Sequence, residues 1–212
     1  MYKHVIKRIL DFLIALLATP FVLLLILIMA PVIYLNDRGP VFYNGERIGK
    51  NGKKFKMLKF RSMYVNSPDL RNADGSTFNS SNDPRVTPVG RFMRKTSLDE
   101  IPQILNVLIG DMSFVGPRPT VSSRDFSTLP EHDKIRYQVR PGITGYAQAY
   151  FRNSISQSEK YDHDNYYVEN VSLLLDLKIL LKTVVSVFRH DHVFVSDEKA
   201  PEADEKKEVL HK

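Results

Sequence analysis

One apolar segment near the N-terminus constrains the fold more than any other feature of this chain. From Ile9 to Leu35 nearly every residue is apolar, and the exceptions are Asp11, Thr19, Pro20 and Pro31. At about 1.5 Å per residue, a helix of this length could cross a hydrocarbon core of about 30 Å. A cleaved signal peptide has a shorter apolar region and a small-residue cleavage site, which this segment lacks. The segment therefore predicts a membrane anchor.

Two features bear on whether the anchor spans the membrane once or re-enters on the same side. Pro20 cannot donate a hydrogen bond to the carbonyl of Leu16, and its ring bends the helix axis. The hydroxyl of Thr19 can bond back into the preceding turn and satisfy part of what the proline frees. Basic residues flank both ends of the segment: Lys3, Lys7, Arg8, Arg38, Arg47, Lys50, Lys53 and Lys54. Since positive flanks favour the cytoplasm, the pattern favours a re-entrant anchor over a single span.

Composition narrows the classes of function. The chain has no cysteine, which excludes a disulfide framework and thiolate chemistry. Its formal net charge of +6 suits phosphate-bearing substrates or the anionic lipids of an inner membrane leaflet. We expect no nucleic-acid binding, because the sequence shows none of the signatures of a known nucleic-acid-binding protein: its basic recognition helix, its zinc-ligand spacing or its aromatic–basic pattern.

The remainder predicts one small α+β domain. Residues 39–63 predict a basic β-hairpin, and residues 64–86, rich in Asn, Ser, Asp, Gly and Pro, predict a long functional loop. The predicted division is an anchor at 1–36, a catalytic domain at 37–192 and a charged, disordered tail at 193–212.

Short helices and strands follow the loop. A basic helix at 87–97 precedes a helix that ends at Gly110 and a short strand at 112–115. Another strand is predicted to follow the turn at 140–145 and to continue through Ala149. Two helices, near 155–169 and 171–189, close the fold. The second is strongly apolar, which suits a core helix or an amphipathic interfacial helix and leaves room for a homodimer contact.

The adjacent carboxylates Asp99 and Glu100 are the sharpest candidates for chemistry. A structural explanation is available, because acids at a helix start cap free N–H groups, and Ser97 and Glu100 have the spacing of a capping box. A catalytic explanation is also available. Arg94 and its basic neighbours would lower the pKa of both carboxyls. Two acids among cations can hold Mg²⁺ against a diphosphate. An ionised aspartate can also attack phosphorus.

Four more cations are candidate phosphate ligands. Lys59 and Arg61 alternate along the predicted strand, so they form either a basic site or a solvated charged edge. Arg118 lies between two prolines, in a rigid turn that suits bidentate phosphate binding as well as a purely structural role. Arg140 precedes Pro-Gly in a second turn of the same kind.

Taken together, these motifs resemble the small monotopic phosphoglycosyl transferases. That bacterial sugar transferase family begins the assembly of capsule, exopolysaccharide, O-antigen or glycoprotein glycans. The matching pieces span roughly residues 1–190 in the family's order. They are the proline-broken anchor, KFRSM at 59–63, SLDEIPQ at 97–103, NVL at 106–108, GDMSFVGPRP at 110–119 and RPGITG at 140–145.

The resemblance implies a re-entrant helix and a catalytic domain on the cytoplasmic face of the bacterial inner membrane. Carried over, Asp99 attacks the β-phosphate of a UDP-sugar and expels UMP, and a polyprenol phosphate such as undecaprenyl phosphate then takes the sugar phosphate. The resemblance also implies that Glu100 supports the dyad and that Mg²⁺ bridges Asp99 and the donor diphosphate. The implied phosphate ligands are Arg94, Arg118, Lys59, Arg61 and Arg140.

Two alternatives remain open at this point. One is a direct, ternary-complex transferase in which Asp99 only holds metal. The other is an inactive, membrane-tethered scaffold within a glycan-assembly complex. The loop at 64–86 matches no sugar-specific pattern, so the sequence leaves the donor sugar and the final polymer unassigned.

Overall fold

The computed structural model has a mixed helix and sheet architecture with one long N-terminal helix. The residues described are 1–70, 78, 80, 82–121, 125–152 and 154–189. The predicted tail at 193–212 lies outside them, as does part of the predicted loop at 64–86.

The N-terminal helix, α1, runs over Lys7–Asp37 and follows a π-helical turn at Tyr2–Ile6. Both prolines lie inside it, and the Thr19 hydroxyl donates to the carbonyl of Ala15 at 2.8 Å, as predicted. Among the described helices, this stretch is long and apolar enough to cross a membrane, with a mean hydropathy of 3.0. Only 17% of its most apolar window is buried, whereas a core helix of a soluble protein would be mostly covered. The re-entrant bend stays a prediction.

One face of α1 packs against the rest of the protein on both sides of Pro20. Its buried side chains recur at helical spacing: Asp11, Ala15, Val22, Met29 and Ile33. Ala15 belongs to a core cluster that includes Val107, and Ile33 belongs to a cluster that includes Phe60. A single folded domain therefore contacts the helix near both of its ends.

The rest of the surface of α1 is apolar and exposed. The most exposed side chains, each more than 70% exposed, are Leu17, Phe21, Leu27 and Leu35. A continuous apolar surface of this kind is unfavourable in water and marks contact with a membrane or a partner. The structure therefore supports association of α1 with a membrane.

The described strands form two sheets. They are β1 (Phe42–Ile48), β2 (Lys54–Phe60), β3 (Ser113–Val115), β4 (Thr120–Val121) and β5 (Gly142–Thr144). Strands β1 and β2 form the predicted antiparallel hairpin, with Phe42 opposite Phe60, and β4 pairs with the other edge of β1. Strands β3 and β5 pair in parallel, so their carboxyl ends meet at one edge.

Six further helices surround these sheets in the described part of the chain. They are α2 (Pro88–Thr96), α3 (Gln103–Ile109), α4 (Glu131–Lys134), α5 (Tyr146–Tyr150), α6 (Gln157–Glu169) and α7 (Leu173–Arg189). Helix α3 ends as predicted at Gly110, whose φ of 98° lies in the left-handed region that glycine adopts readily. The two predicted C-terminal helices are α6 and α7.

The predicted strand through Ala149 is wrong, because β5 ends at Thr144 and helix α5 follows. The segment Tyr-Ala-Gln-Ala-Tyr alternates large and small residues, as strands often do. However, alanine and glutamine favour a helix, and the buried side chains of Ala147 and Ala149 pack in helical geometry.

Helix α7 has two contrasting faces. Asp176, Ile179 and Ser186 are buried in the domain. Leucine and valine side chains lie on the outer face, where the exposed ones are Leu173, Leu174, Leu177, Leu181, Val184 and Val185. This pattern suits the predicted interfacial helix, whose contact with a membrane stays a prediction.

Candidate active site

The two adjacent carboxylates lie on a tight turn between α2 and α3. Ser97 ends α2 in the left-handed conformation, with φ of 57°, and a 3₁₀ turn at Leu98–Glu100 follows. Pro102 is the N-cap residue of α3. The capping explanation is wrong, because in the described structure neither Asp99 nor Glu100 makes a side-chain cap hydrogen bond to these elements. Both carboxylates are instead available for other partners.

Lys59 joins the two carboxylates. Its Nζ lies 2.8 Å from Asp99 Oδ2 and 3.2 Å from Glu100 Oε1. Asp99 is only 2% exposed, and the side chain of Lys59 is 19% exposed. The alternative of a solvated charged edge is therefore wrong for Lys59. The hairpin instead places one ammonium group beside the buried Asp99 and the half-buried Glu100.

Two arginines complete the charged cluster. Arg118 Nη2 lies 3.7 Å from Glu100 Oε1, and 58% of the Arg118 side chain is exposed. Most of its guanidinium donors can thus meet a substrate anion. Arg94 lies near Asp99 and donates from Nε to the hydroxyl of Ser62 at 3.0 Å. Ser62 was not among the predicted site residues, although it lies in the KFRSM motif beside two predicted cations.

Burial and charge act in opposite directions on this cluster. Burial alone would raise the pKa of Glu100, but Lys59 and Arg118 outweigh it and hold that pKa below its usual 4.5. Burial would likewise lower the pKa of Lys59, but Asp99 and Glu100 raise it above its usual range. Near neutral pH, Lys59 and Glu100 are therefore both charged.

This balance predicts a change in acid stability. Because the pKa of Glu100 is lower in the folded protein, its ionised form stabilises the fold above about pH 4.5. That contribution is lost as the pH falls through the lower, folded-state pKa. In thermal unfolding from about pH 7 to about pH 3, Glu100→Gln should lose less stability below pH 4.5 than wild type. Glu131→Gln removes an exposed carboxylate and should match wild type. Identical acid slopes for wild type and Glu100→Gln would refute the assigned charge state.

Arg61 and Arg140 do not join this cluster in the described structure. Arg61 pairs with Asp37 at the end of α1 and also donates to the carbonyl of Pro40. Arg140 donates from Nε to the carbonyl of Gly110 at 2.8 Å, at the opposite end of α3 from Asp99. Both contacts hold structural elements together, and a phosphate-binding role for either residue stays a prediction.

Two motif turns interlock and position Arg118. The N–H of Gly116 donates to the carbonyl of Thr144 at 2.9 Å, and the N–H of Gly142 donates to the carbonyl of Pro117 at 2.9 Å. A Cβ atom on Gly116 would lie 2.4 Å from the carbonyl oxygen of Arg140. Only glycine allows this approach, so the GPRP and RPGITG turns form one rigid unit.

The acidic pair fits a magnesium site completed by substrate. Asp99 Oδ2 is buried and, among the described residues, makes an ion pair with Lys59 but no aligned hydrogen bond. The described part of the chain has no group of three or more side chains that could hold a metal. Mg²⁺ commonly binds through one or two carboxylates together with substrate phosphates. The donor set therefore suits Mg²⁺ bound with a diphosphate.

Comparison with known proteins identifies the family. A family model described as bacterial sugar transferase matches residues 2–190. The chain belongs to the bacterial sugar transferase family. The resemblance found in the motifs is thus confirmed.

Three relatives show how far the similarity extends. The chain is 41% identical over 192 residues to the undecaprenyl-phosphate galactose phosphotransferase of Salmonella typhimurium, covering 82% of this chain and 40% of that protein. The chain is also 41% identical, over 191 residues, to the UDP-N-acetylgalactosamine-undecaprenyl-phosphate N-acetylgalactosaminephosphotransferase of Aeromonas hydrophila. This match covers 86% of this chain and 43% of that protein. The exopolysaccharide production protein ExoY of Sinorhizobium fredii is 40% identical over 192 residues, and the match covers 85% of this chain and 84% of that protein. The chain thus spans about two fifths of the first two bacterial sugar transferases and most of the third.

Proposed function

We propose that this chain transfers a sugar phosphate from a UDP-sugar to a polyprenol phosphate, undecaprenyl phosphate, and releases UMP. The observation behind the proposal is the buried Asp99, paired with Lys59 and adjacent to Glu100 and the exposed Arg118. The names of two relatives specify undecaprenyl phosphate and two different sugars. The proposal therefore covers the donor class and leaves the sugar open.

The proposed reaction has two displacements at one phosphorus atom. A carboxylate oxygen of Asp99 attacks the β-phosphorus of the donor, the bond to the bridging oxygen breaks, and UMP leaves with that oxygen. A phosphate oxygen of the polyprenol phosphate then attacks the same phosphorus and restores the Asp99 carboxylate. The product is a polyprenyl-diphosphate-sugar. Dividing one difficult displacement into two easier ones is the general advantage of covalent catalysis.

The neighbouring residues would assist both displacements. Arg118 would hold the donor diphosphate from the open side of the cluster, and Arg94 would add positive charge near Asp99. Lys59 would keep Glu100 ionised and would pair with Asp99. Asp99, with Glu100 beside it, would hold Mg²⁺, which offsets the negative charge of the diphosphate when bound.

We further propose that α1 re-enters and that the domain lies on the cytoplasmic face of the bacterial inner membrane. Arg8 donates to the carbonyls of Val107 and Leu108 near one end of α1, and Asp37 pairs with Arg61 at the other. Because one polar domain contacts both ends, a single span would have to draw that domain into hydrocarbon. Nucleotide-sugars are cytoplasmic and the carrier phosphate lies among lipid headgroups, so this position lets both substrates meet.

The topology can be tested with single cysteines, because the chain has none of its own. We expect His4→Cys, before α1, and Lys53→Cys, in the hairpin turn, to resist a membrane-impermeant maleimide in intact cells. Both should react after the cells are opened, since both positions are exposed in the structure. Labelling of only one site in intact cells would contradict re-entry.

The proposed reaction predicts UMP release from one or two members of a UDP-sugar panel when undecaprenyl phosphate and Mg²⁺ are present. Silence across a broad panel, from protein shown to be folded, would support the inactive scaffold. Omitting the acceptor separates the two transferase schemes. A covalent intermediate predicts one equivalent of UMP and a phosphosugar adduct on Asp99, whereas a direct ternary-complex transferase predicts neither.

A further inference from the structure

Arg136 contacts the backbone of the turn that carries Arg118. It was not among the site residues predicted from the sequence. Arg136 is 3% exposed, and its Nη2 donates both to the main-chain carbonyl of Arg118 at 2.8 Å and to Asp164 at 2.6 Å. It follows α4 in the 3₁₀ turn Ile135–Gln138, and Asp164 lies on α6. The contact therefore ties the GPRP turn to two elements outside the charged cluster.

The surroundings of Arg136 hold its guanidinium in one orientation. Its Cζ lies 4.2 Å from the ring centre of Tyr161 and 5.4 Å from that of Tyr137. Burial would lower the pKa of Arg136, but Asp164 and the two tyrosines raise it, so the group stays charged. A planar guanidinium with a carboxylate at its edge and a ring against its face has little freedom to turn.

Two donor atoms of the Arg136 guanidinium lack a hydrogen-bond partner in the described structure. They are Nε and Nη1, and both are buried. Buried ion pairs of this kind are often matched or exceeded in stability by apolar residues of similar volume. The feature that an apolar pair could not reproduce is the hydrogen bond to the Arg118 carbonyl.

That hydrogen bond completes the restraint of the GPRP turn. The interlocked glycine turns hold Gly116 and Pro117, and Arg136 holds the next carbonyl, that of Arg118 itself. The Arg118 side chain is largely exposed, so its aim toward Glu100 depends on the backbone from which it extends. A shift of about 1 Å in such a group can reduce catalysis substantially.

We propose that Arg136, supported by Asp164, is a positioning residue that aims Arg118 at the donor diphosphate. This inference rests on the proposed function for the identity of the diphosphate. It assigns Arg136 no contact with substrate. Its effect must therefore pass entirely through Arg118, which makes the two residues testable as a coupled pair.

The test is a double-mutant cycle on equilibrium binding of UDP in the presence of Mg²⁺. The double substitution Arg136→Met with Asp164→Leu replaces the buried ion pair by apolar side chains. When Arg118 is present, we expect this double substitution to weaken UDP binding about tenfold, which is the size of effect typical of one charge-assisted hydrogen bond. In an Arg118→Ala background, the same change should alter binding less than about twofold. Equal losses in both backgrounds would overturn the proposal.

Two further proteins separate positioning from general destabilisation. Ile179→Ala removes a fully buried side chain on α7, and we expect it to lower the melting temperature without weakening UDP binding. If the apolar pair does not fold, Arg136→Lys keeps a charge beside Asp164 and enters the same cycle. UDP binding that depends on Arg136 through Arg118, without UMP release from any donor, would defeat the proposed function alone. UMP release together with equal losses of UDP binding in the two Arg118 backgrounds, or without UDP binding by wild type, would defeat only the positioning role. A wild type that shows neither UDP binding nor UMP release would overturn both.

Discussion

Replacing Asp99 with asparagine should lower the rate of UMP release by at least about a thousandfold, the scale of losing a nucleophile. The substitution keeps the size of the side chain and removes the attacking carboxylate. Lys59 would keep Glu100 as a partner at 3.2 Å, so the melting temperature should change little. Initial rates with the active donor, alongside thermal unfolding, measure both quantities.

Asp162→Asn is the matched control for this substitution. Asp162 is an exposed carboxylate on α6 that lies beside His132 and outside the charged cluster. We expect its rate to match wild type. Near-normal UMP release by Asp99→Asn would exclude Asp99 as nucleophile and remove the basis of the covalent scheme.

Replacing Lys59 with methionine should have the second largest effect, a fall in kcat/KM of about a hundredfold. The two acids would then lie side by side, with Arg118 3.7 Å from Glu100 and Arg94 near Asp99. Loss of the ammonium removes the group that lowers the pKa of Glu100, so the acid limb of the pH–rate profile should move to higher pH. Rates measured across the acid limb therefore test the charge effect as well as the loss of activity.

The hairpin provides a close control for the lysine substitution. Lys56 lies on the same strand with an exposed side chain, and Lys56→Met should leave both the rate and the pH profile unchanged. Lys59→Arg, which restores the charge, should recover part of the activity. An unshifted acid limb in Lys59→Met would mean that Lys59 does not control the ionisation of Glu100.

Local patterns in the sequence predicted several elements well. Hydropathy identified α1, turn residues identified the β1–β2 hairpin, and Gly110 identified the end of α3. Each of these signals lies within a few residues of the element that it predicts. The adjacent acids were also visible, because two carboxylates beside a basic helix form an unusual local pattern.

Contacts between residues that are far apart in the sequence could not be predicted from these local patterns. Lys59 and Asp99 are forty positions apart, and only the folded hairpin brings them together. Arg118 and Arg140 looked alike, since each adjoins a proline in a rigid turn, yet Arg118 faces Glu100 and Arg140 caps α3. Local sequence also favoured capping for Asp99 and Glu100, whereas Pro102 begins α3 and leaves both acids free for Lys59. The partner of each charge is set by tertiary packing.

The most direct test of the central claim is to trace the β-phosphorus of the donor. A UDP-sugar radiolabelled at that atom would be incubated with wild type, undecaprenyl phosphate and Mg²⁺, and the lipid and nucleotide products separated. If the chain transfers a sugar phosphate, the label should enter the lipid in step with the release of UMP. Release of labelled UDP, with unlabelled sugar on the lipid, would show that the other bond breaks and would contradict transfer of a sugar phosphate.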